Sequence, residues 1–120
     1  MKLKVLPPTL RKNNHYLVVD IFSQVEIDKN DLVNIVWDGC VRYFGECYTA
    51  NFNLWVMRFQ EVKCNSEHFC YQAVIRCQRG YEEDLRAALA CVNKFKSKRI
   101  SILTMGMSGT IKSAVDKYFH

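Results

Sequence analysis

The run Gly106-Met107-Ser108-Gly109-Thr110-Ile111-Lys112-Ser113-Ala114 has the residue types and spacing best suited to chemistry. It ends an apolar, strand-like stretch, turns on two glycines and opens a short amphipathic segment. Ser108 or Thr110 can cap that segment. The unpaired N–H groups of its first turn, with Lys112 beside them, suit an anionic oxygen such as that of a phosphate. A plain helix cap uses the same residues, so the run is a phosphate-contact candidate that the rest of the chain must weigh.

Other clusters offer less. Cys64, His68 and Cys70 are the tightest metal-type group, but they contain no CxxC pair and no four-ligand spacing, which argues against a structural zinc. Glu82, Glu83 and Asp84 are consecutive and point around a helix, so they read as first-turn acids favoured by the helix dipole. His15 and His120 make an acid/base pair only if the fold joins the termini. No GxxxxGK[ST] or GxGxxG is present, and Ser108 lacks a G-x-S-x-G context. The chain carries no catalytic constellation of its own.

A chain of 120 residues, 49% hydrophobic, supports one core. Residues 1–11 carry charge and two prolines in place of an apolar leader, and no run reaches the length of a bilayer span. A soluble, cytoplasmic protein without membrane contact is expected, or a nuclear or nucleolar one in a eukaryote. The net charge of +5 is segregated. Lys2, Lys4, Arg11 and Lys12 stand at the start without an acid, and residues 13–84 hold eleven acids against six bases. Residues 85–120 hold seven bases against Asp116 alone. This pattern suits a polyanion-facing side built from both ends, with another face free for a protein neighbour. The six cysteines lie mostly in apolar runs and are expected to be reduced thiols.

Residues 1–14, with the Pro7-Pro8 pair, read as an extended arm, and residues 15–120 as a single domain. His15 to Phe22 is β-branched and aromatic, hence a central strand. Asp28 or Asn30 then caps a helix with the stripe Leu32, Ile35, Val36, Cys40 and Tyr43, closed at Gly45. Ala50 to Phe59 reads as a strand with Phe52, Leu54 and Val56 on one face and Trp55, Met57 and Phe59 on the other. A hairpin leads to Phe69–Cys77, whose Tyr71, Ala73, Ile75 and Cys77 alternate with Gln72, Val74 and Arg76. Tyr81, Leu85, Ala88, Leu89 and Val92 mark a second helix ending in Lys94, Lys96, Lys98 and Arg99. Ile100 to Met105 is a fourth strand, and Ile111, Ala114, Val115 and Tyr118 form the stripe of a last helix.

The order is β-α-β-β-α-β plus a C-terminal helix, an α+β sandwich on the antiparallel sheet of ferredoxin-like and RNA-recognition folds. Apolar residues on both faces of the second strand call for a second cover, from the last helix or a partner. Phe69 to Cys77 lacks the K/R-G-F/Y-G/A-F-V-x-F/Y run of RNA-recognition motifs. Base stacking on an open sheet is therefore not expected, and any RNA contact falls mainly on phosphates. Three classes remain: an RNA-binding subunit, a ferredoxin-like interaction or regulatory module that forms a homodimer through its sheet, and a small acylphosphatase-like enzyme. The last needs an Arg and a glycine loop after the first strand, which Ser23 to Lys29 lacks.

Read together, Leu6-Pro7-Pro8-Thr9-Leu10-Arg11 and Tyr16, Phe44-Gly45-Glu46, Ile75-Arg76-Cys77, Ala87-Ala88-Leu89 and the Gly106–Ala114 run stand in an order that resembles the archaeal ribonuclease P protein component 2 family. The lack of a long acidic C-terminal extension looks more like the archaeal members than the nuclear ones. The resemblance implies an α/β sandwich of RNA-recognition type, acting as a non-catalytic subunit of the particle that removes 5′ leaders from precursor tRNA. It implies that ribonuclease P RNA, with its own magnesium ions, performs the hydrolysis. Implied partners are that RNA, the precursor tRNA, a TIM-barrel-like protein subunit and other subunits, and no cofactor is implied for this chain. Carried over, Arg11, Arg76, Ser108, Gly109, Thr110 and Lys112 hold RNA phosphates; the charge map adds Lys12, Arg79, Lys96, Lys98 and Arg99. Lys12-Asn13-Asn14-His15 is less basic than the run expected after LPPTLR.

Overall fold

A computed structural model describes residues 14–63 and 67–118. The expected arm, with Arg11 and Lys12, lies outside the described residues except for Asn14. Strand β1 (Asn14–Ser23) forms where the β-branched run was read, and residues Leu17, Val18 and Val19 are buried on both of its faces. Helix α1 (Lys29–Phe44) starts at a reciprocal cap: Asp31 N–H donates to Asp28 Oδ1 at 2.8 Å and Asp28 N–H to Asp31 Oδ2 at 3.1 Å. It buries Leu32, Ile35, Val36 and Cys40 and ends at Gly45, whose φ of 86° suits glycine. Tyr43, expected in the buried stripe, is instead 55% exposed, its ring set edge-on against Phe44.

The next segment differs from the expected strand at Ala50. A short helix α2 (Glu46–Thr49) runs into a 3₁₀ turn (Ala50–Phe52), then Asn53 adopts φ 54° before β2 (Trp55–Val62) begins. Phe52 is therefore no strand residue. It is fully buried among the rings of Phe44, Tyr48 and Tyr81, at centroid distances of 5.6, 5.5 and 5.0 Å. A register shift between Val56 and Arg58 makes Met57 an extra residue, so Val56 and Phe59 face the same side, where alternation alone put them on opposite sides.

Strand β3 (Phe69–Gln78) alternates as expected, with Tyr71, Ala73, Ile75 and Cys77 turned toward the helices. Helix α3 (Glu82–Ala90) stops earlier than its lysine-rich continuation suggested. Lys94, Lys96, Lys98 and Arg99 instead build a tight hairpin between β4 (Lys94–Phe95) and β5 (Lys98–Ser108), turning at Lys96 and Ser97 with φ of 52° and 65°. Positive φ at both central positions is the turn whose twist matches a hairpin. Helix α4 (Ile111–Tyr118) closes the described chain.

The antiparallel sheet has the order β2-β3-β1-β5-β4. Leaving out the two-residue β4, this is the split βαβ arrangement, and the α+β class holds. Leu17, Val19, Ile21, Tyr71, Ala73, Ile75 and Ile102 pack beneath α1 and α3 as the main core, with Leu32, Leu85 and Leu89. On the other face α4 covers Val18 and Val74 with Ala114, flanked by Tyr16, Met57, Val115 and Tyr118. Gly106 permits this: a Cβ there would lie 2.3 Å from the Tyr118 ring. The second cover that the doubly apolar strand called for is thus α4, and it spans only the half of that face nearest its own start.

Cys40, Cys47, Cys77 and Cys91 are free thiols, whereas Cys70 is disulfide-bonded, against the expectation of reduced thiols throughout. Burial pushes the Cys40 and Cys77 thiols up to about 12. A maleimide at pH 8 is therefore expected to label exposed Cys47 and Cys91 in the native protein and to reach Cys40 and Cys77 only after denaturant is added; mass spectrometry of digested samples reads this directly.

Candidate nucleic-acid interface

The expected contact residues fall into two groups held apart by β5. At one end, register places Trp55, Arg76, Tyr16 and Ser108 in a row across β2, β3, β1 and β5. Arg76 spends two donors internally: its Nε donates to the Asn53 carbonyl at 3.2 Å and a terminal nitrogen to Asn53 Oδ1 at 3.1 Å. It thereby clamps the left-handed residue that precedes β2. Arg79 is exposed in the turn after β3, beside Gly80 with φ 102°.

The opening of α4 stands at the same end. Thr110 is its cap, since Ser113 N–H donates to Thr110 Oγ1 at 3.1 Å and Ala114 N–H to the Thr110 carbonyl at 3.1 Å. Ser108 Oγ accepts from Thr110 N–H at 3.5 Å and braces the turn. Gly109 and Lys112 are exposed there. The cap has settled on Thr110, and Lys112 makes no ion pair among the described residues.

The second group is the hairpin. Lys94, Lys96, Lys98 and Arg99 are all exposed and without an ion pair among the described residues, and Lys96 Nζ sits 5.2 Å from the Phe95 ring centre. This cluster and the α4 cap stand at opposite ends of the eleven-residue β5, which is roughly 33 Å long at strand spacing. An anionic partner touching both therefore spans the length of the sheet. Sequence reading missed Phe22 in this region. It is 43% exposed on the face that α4 leaves open, and the signal for it was Asp20, a charge in a strand otherwise read as doubly buried.

The residues considered for catalysis have other partners. Glu82 Oε1 accepts from Gly80 N–H at 2.8 Å and lies 3.0 Å from His15 Nδ1. Asp84 Oδ2 accepts from the Tyr48 hydroxyl at 2.5 Å, a bond that raises the Tyr48 pKa. His120 lies outside the described residues. Among the described residues no group of three or more His, Cys, Asp or Glu is placed to hold a metal, and no helix is long and apolar enough to cross a membrane.

Residues 15–119 match the model of the Rpp14/Pop5 family. Similar proteins include ribonuclease P protein component 2 of Methanobrevibacter smithii, 58% identical with 94% of each chain covered. The proteins of that name in Methanothermobacter thermautotrophicus and Pyrococcus abyssi are 37% and 38% identical, covering 97% and 98% of this chain and 93% and 94% of theirs. With a family match over residues 15–119 and a relative 58% identical over 94% of both chains, the chain belongs to the Rpp14/Pop5 family.

Proposed function

We propose that the chain is a non-catalytic protein subunit of an archaeal ribonuclease P, binding and stabilising the RNA that cleaves 5′ leaders from precursor tRNA. The observation that carries this reading is the 58% identity, over 94% of both chains, to a ribonuclease P protein component. The basic groups at the two ends of β5 support it, because phosphate contacts are made by cations and helix-start N–H groups. In this reading the RNA carries the magnesium ions and performs the hydrolysis, and the chain contributes positioning and charge. Other protein subunits, a TIM-barrel-like one among them, complete the particle. The exposed Trp37 and Trp55 beside Val33 line a groove of about 400 Å³ between α1 and β2 and offer apolar area for such a neighbour.

Reconstitution with the ribonuclease P RNA and the remaining protein subunits tests the proposal. Leaving this chain out is expected to lower the cleavage rate or raise the magnesium requirement; an unchanged particle overturns it. Lys112→Ala is expected to weaken RNA binding several-fold and to reduce the salt slope by about one phosphate contact. Because Lys112 is exposed and the cap rests on Thr110, the melting temperature is expected to stay unchanged in the same variant.

A further inference from the structure

The chain has two tryptophans, and both line one groove. Trp37 on α1 and Trp55 on β2 are 38% and 60% exposed, and Val33 and Leu54 complete the apolar wall. Of the described residues that line this groove of about 400 Å³, Lys29 alone is charged. Leu54 directly follows Asn53, whose Nδ2 donates to Asn14 Oδ1 at 3.1 Å and which Arg76 holds in place. The first residue of β1 is therefore bonded to the residue that leads into the groove. Residues 1–13 join the domain at that point. Within them Val5-Leu6-Pro7-Pro8-Thr9-Leu10 carries no charge between Lys4 and Arg11. A proline pair keeps such a segment extended before it binds, so little conformational entropy is lost when it lies on aromatic rings. At roughly 3.3 Å per extended residue, Leu10 reaches about 13 Å and Leu6 about 26 Å from Asn14, enough to run along a groove that starts one residue after Asn53.

We infer that the chain's own arm docks in the groove between α1 and β2, with the uncharged segment Val5–Leu10 laid over Trp37 and Trp55. Covalent linkage makes the contact intramolecular, so modest apolar burial suffices to keep the groove occupied. Addition of the arm as a strand on the free outer edge of β2 fits less well, because Pro7 and Pro8 give no N–H to a ladder. A neighbouring subunit at this groove then meets the arm as part of this chain's surface. Resting on the RNA-binding reading, docking also places Arg11 and Lys12 between the groove and Asn14, at the end of the sheet where Tyr16 pairs with Ser108 and the α4 cap begins. The cations of the arm and the cap then serve one phosphate-contacting end.

Tryptophan fluorescence of the full chain reads this groove alone, because both emitters stand in it. The unaltered chain is expected to emit to the blue and to resist acrylamide quenching at every protein concentration. Leu6→Ser with Leu10→Ser is expected to move the emission to the red and to ease quenching, with an unchanged circular dichroism spectrum. Trp55→Ala is expected to speed trypsin cleavage after Arg11 several-fold, which reads docking from the side of the arm. Equal quenching in the unaltered chain and the serine variant overturns the docking. Protection that grows with protein concentration gives the groove to a second copy, and protection that appears only when the other protein subunits are added gives it to a neighbour; either result overturns the inference. The serine variant keeps every cation and is expected to lose several-fold in affinity for ribonuclease P RNA; normal RNA binding by it overturns the placement of Arg11 and Lys12. The fluorescence is read without RNA, so a docked arm on a chain that binds no RNA overturns the RNA-binding reading and leaves the docking standing.

Discussion

Phe52→Ala is expected to destabilise the protein by about 3–5 kcal/mol, the range for removing a large aromatic from a packed core. Phe52 has no exposed surface and its ring meets those of Phe44, Tyr48 and Tyr81 within 5.6 Å. Those rings come from the end of α1, from α2 and from the residue that precedes α3, so one side chain ties three elements together. Alanine leaves a cavity bounded by rigid rings, which collapse poorly around it. Urea denaturation of the two proteins reads the difference as a lower midpoint at equal slope. A loss below 1 kcal/mol would mean that the cluster repacks and that α2 is held by the Thr49 hydroxyl, which donates to the Gly45 carbonyl at 2.7 Å, instead of by ring packing.

The same residue marks where the sequence stopped being legible. From Phe52 to Phe59 apolar side chains occur on both alternating sets, so a strand read through all of them met no contradiction. The helical turn ending at Phe52, the left-handed Asn53 and the bulge at Met57 depend on tertiary contacts such as the Arg76 clamp, which no local pattern announces. β1 was legible from its β-branched and aromatic run, β3 from its alternation, and α1 because an aspartate cap and a glycine stop bracket one apolar stripe. The Lys94–Arg99 run misled because lysine favours helices and the hairpin turns on Lys-Ser instead of Asn-Gly. At the candidate site the residue types were legible and their geometry was not. That the hairpin and the α4 cap stand at opposite ends of one strand follows only from the length and direction of β5.

That separation gives the second large effect. Replacing Lys94, Lys96, Lys98 and Arg99 together by glutamine is expected to lower affinity for ribonuclease P RNA by about a hundredfold or more at low salt. If each side chain contacts one phosphate of a helical RNA segment, the slope of log affinity against log salt becomes shallower by about 3–4. All four side chains are exposed and lack ion pairs among the described residues, so the melting temperature is expected to shift by no more than a few degrees. Lys112→Ala, at the far end of β5, should change the slope by about one and add to the hairpin variant without coupling, because sites this far apart share no contact. Filter binding from 50 to 300 mM salt measures both. An unchanged slope in the hairpin variant would leave only the α4 end on the RNA; a collapse of the slope to zero would mean that the α4 cap serves the fold alone and that the hairpin end carries the interface.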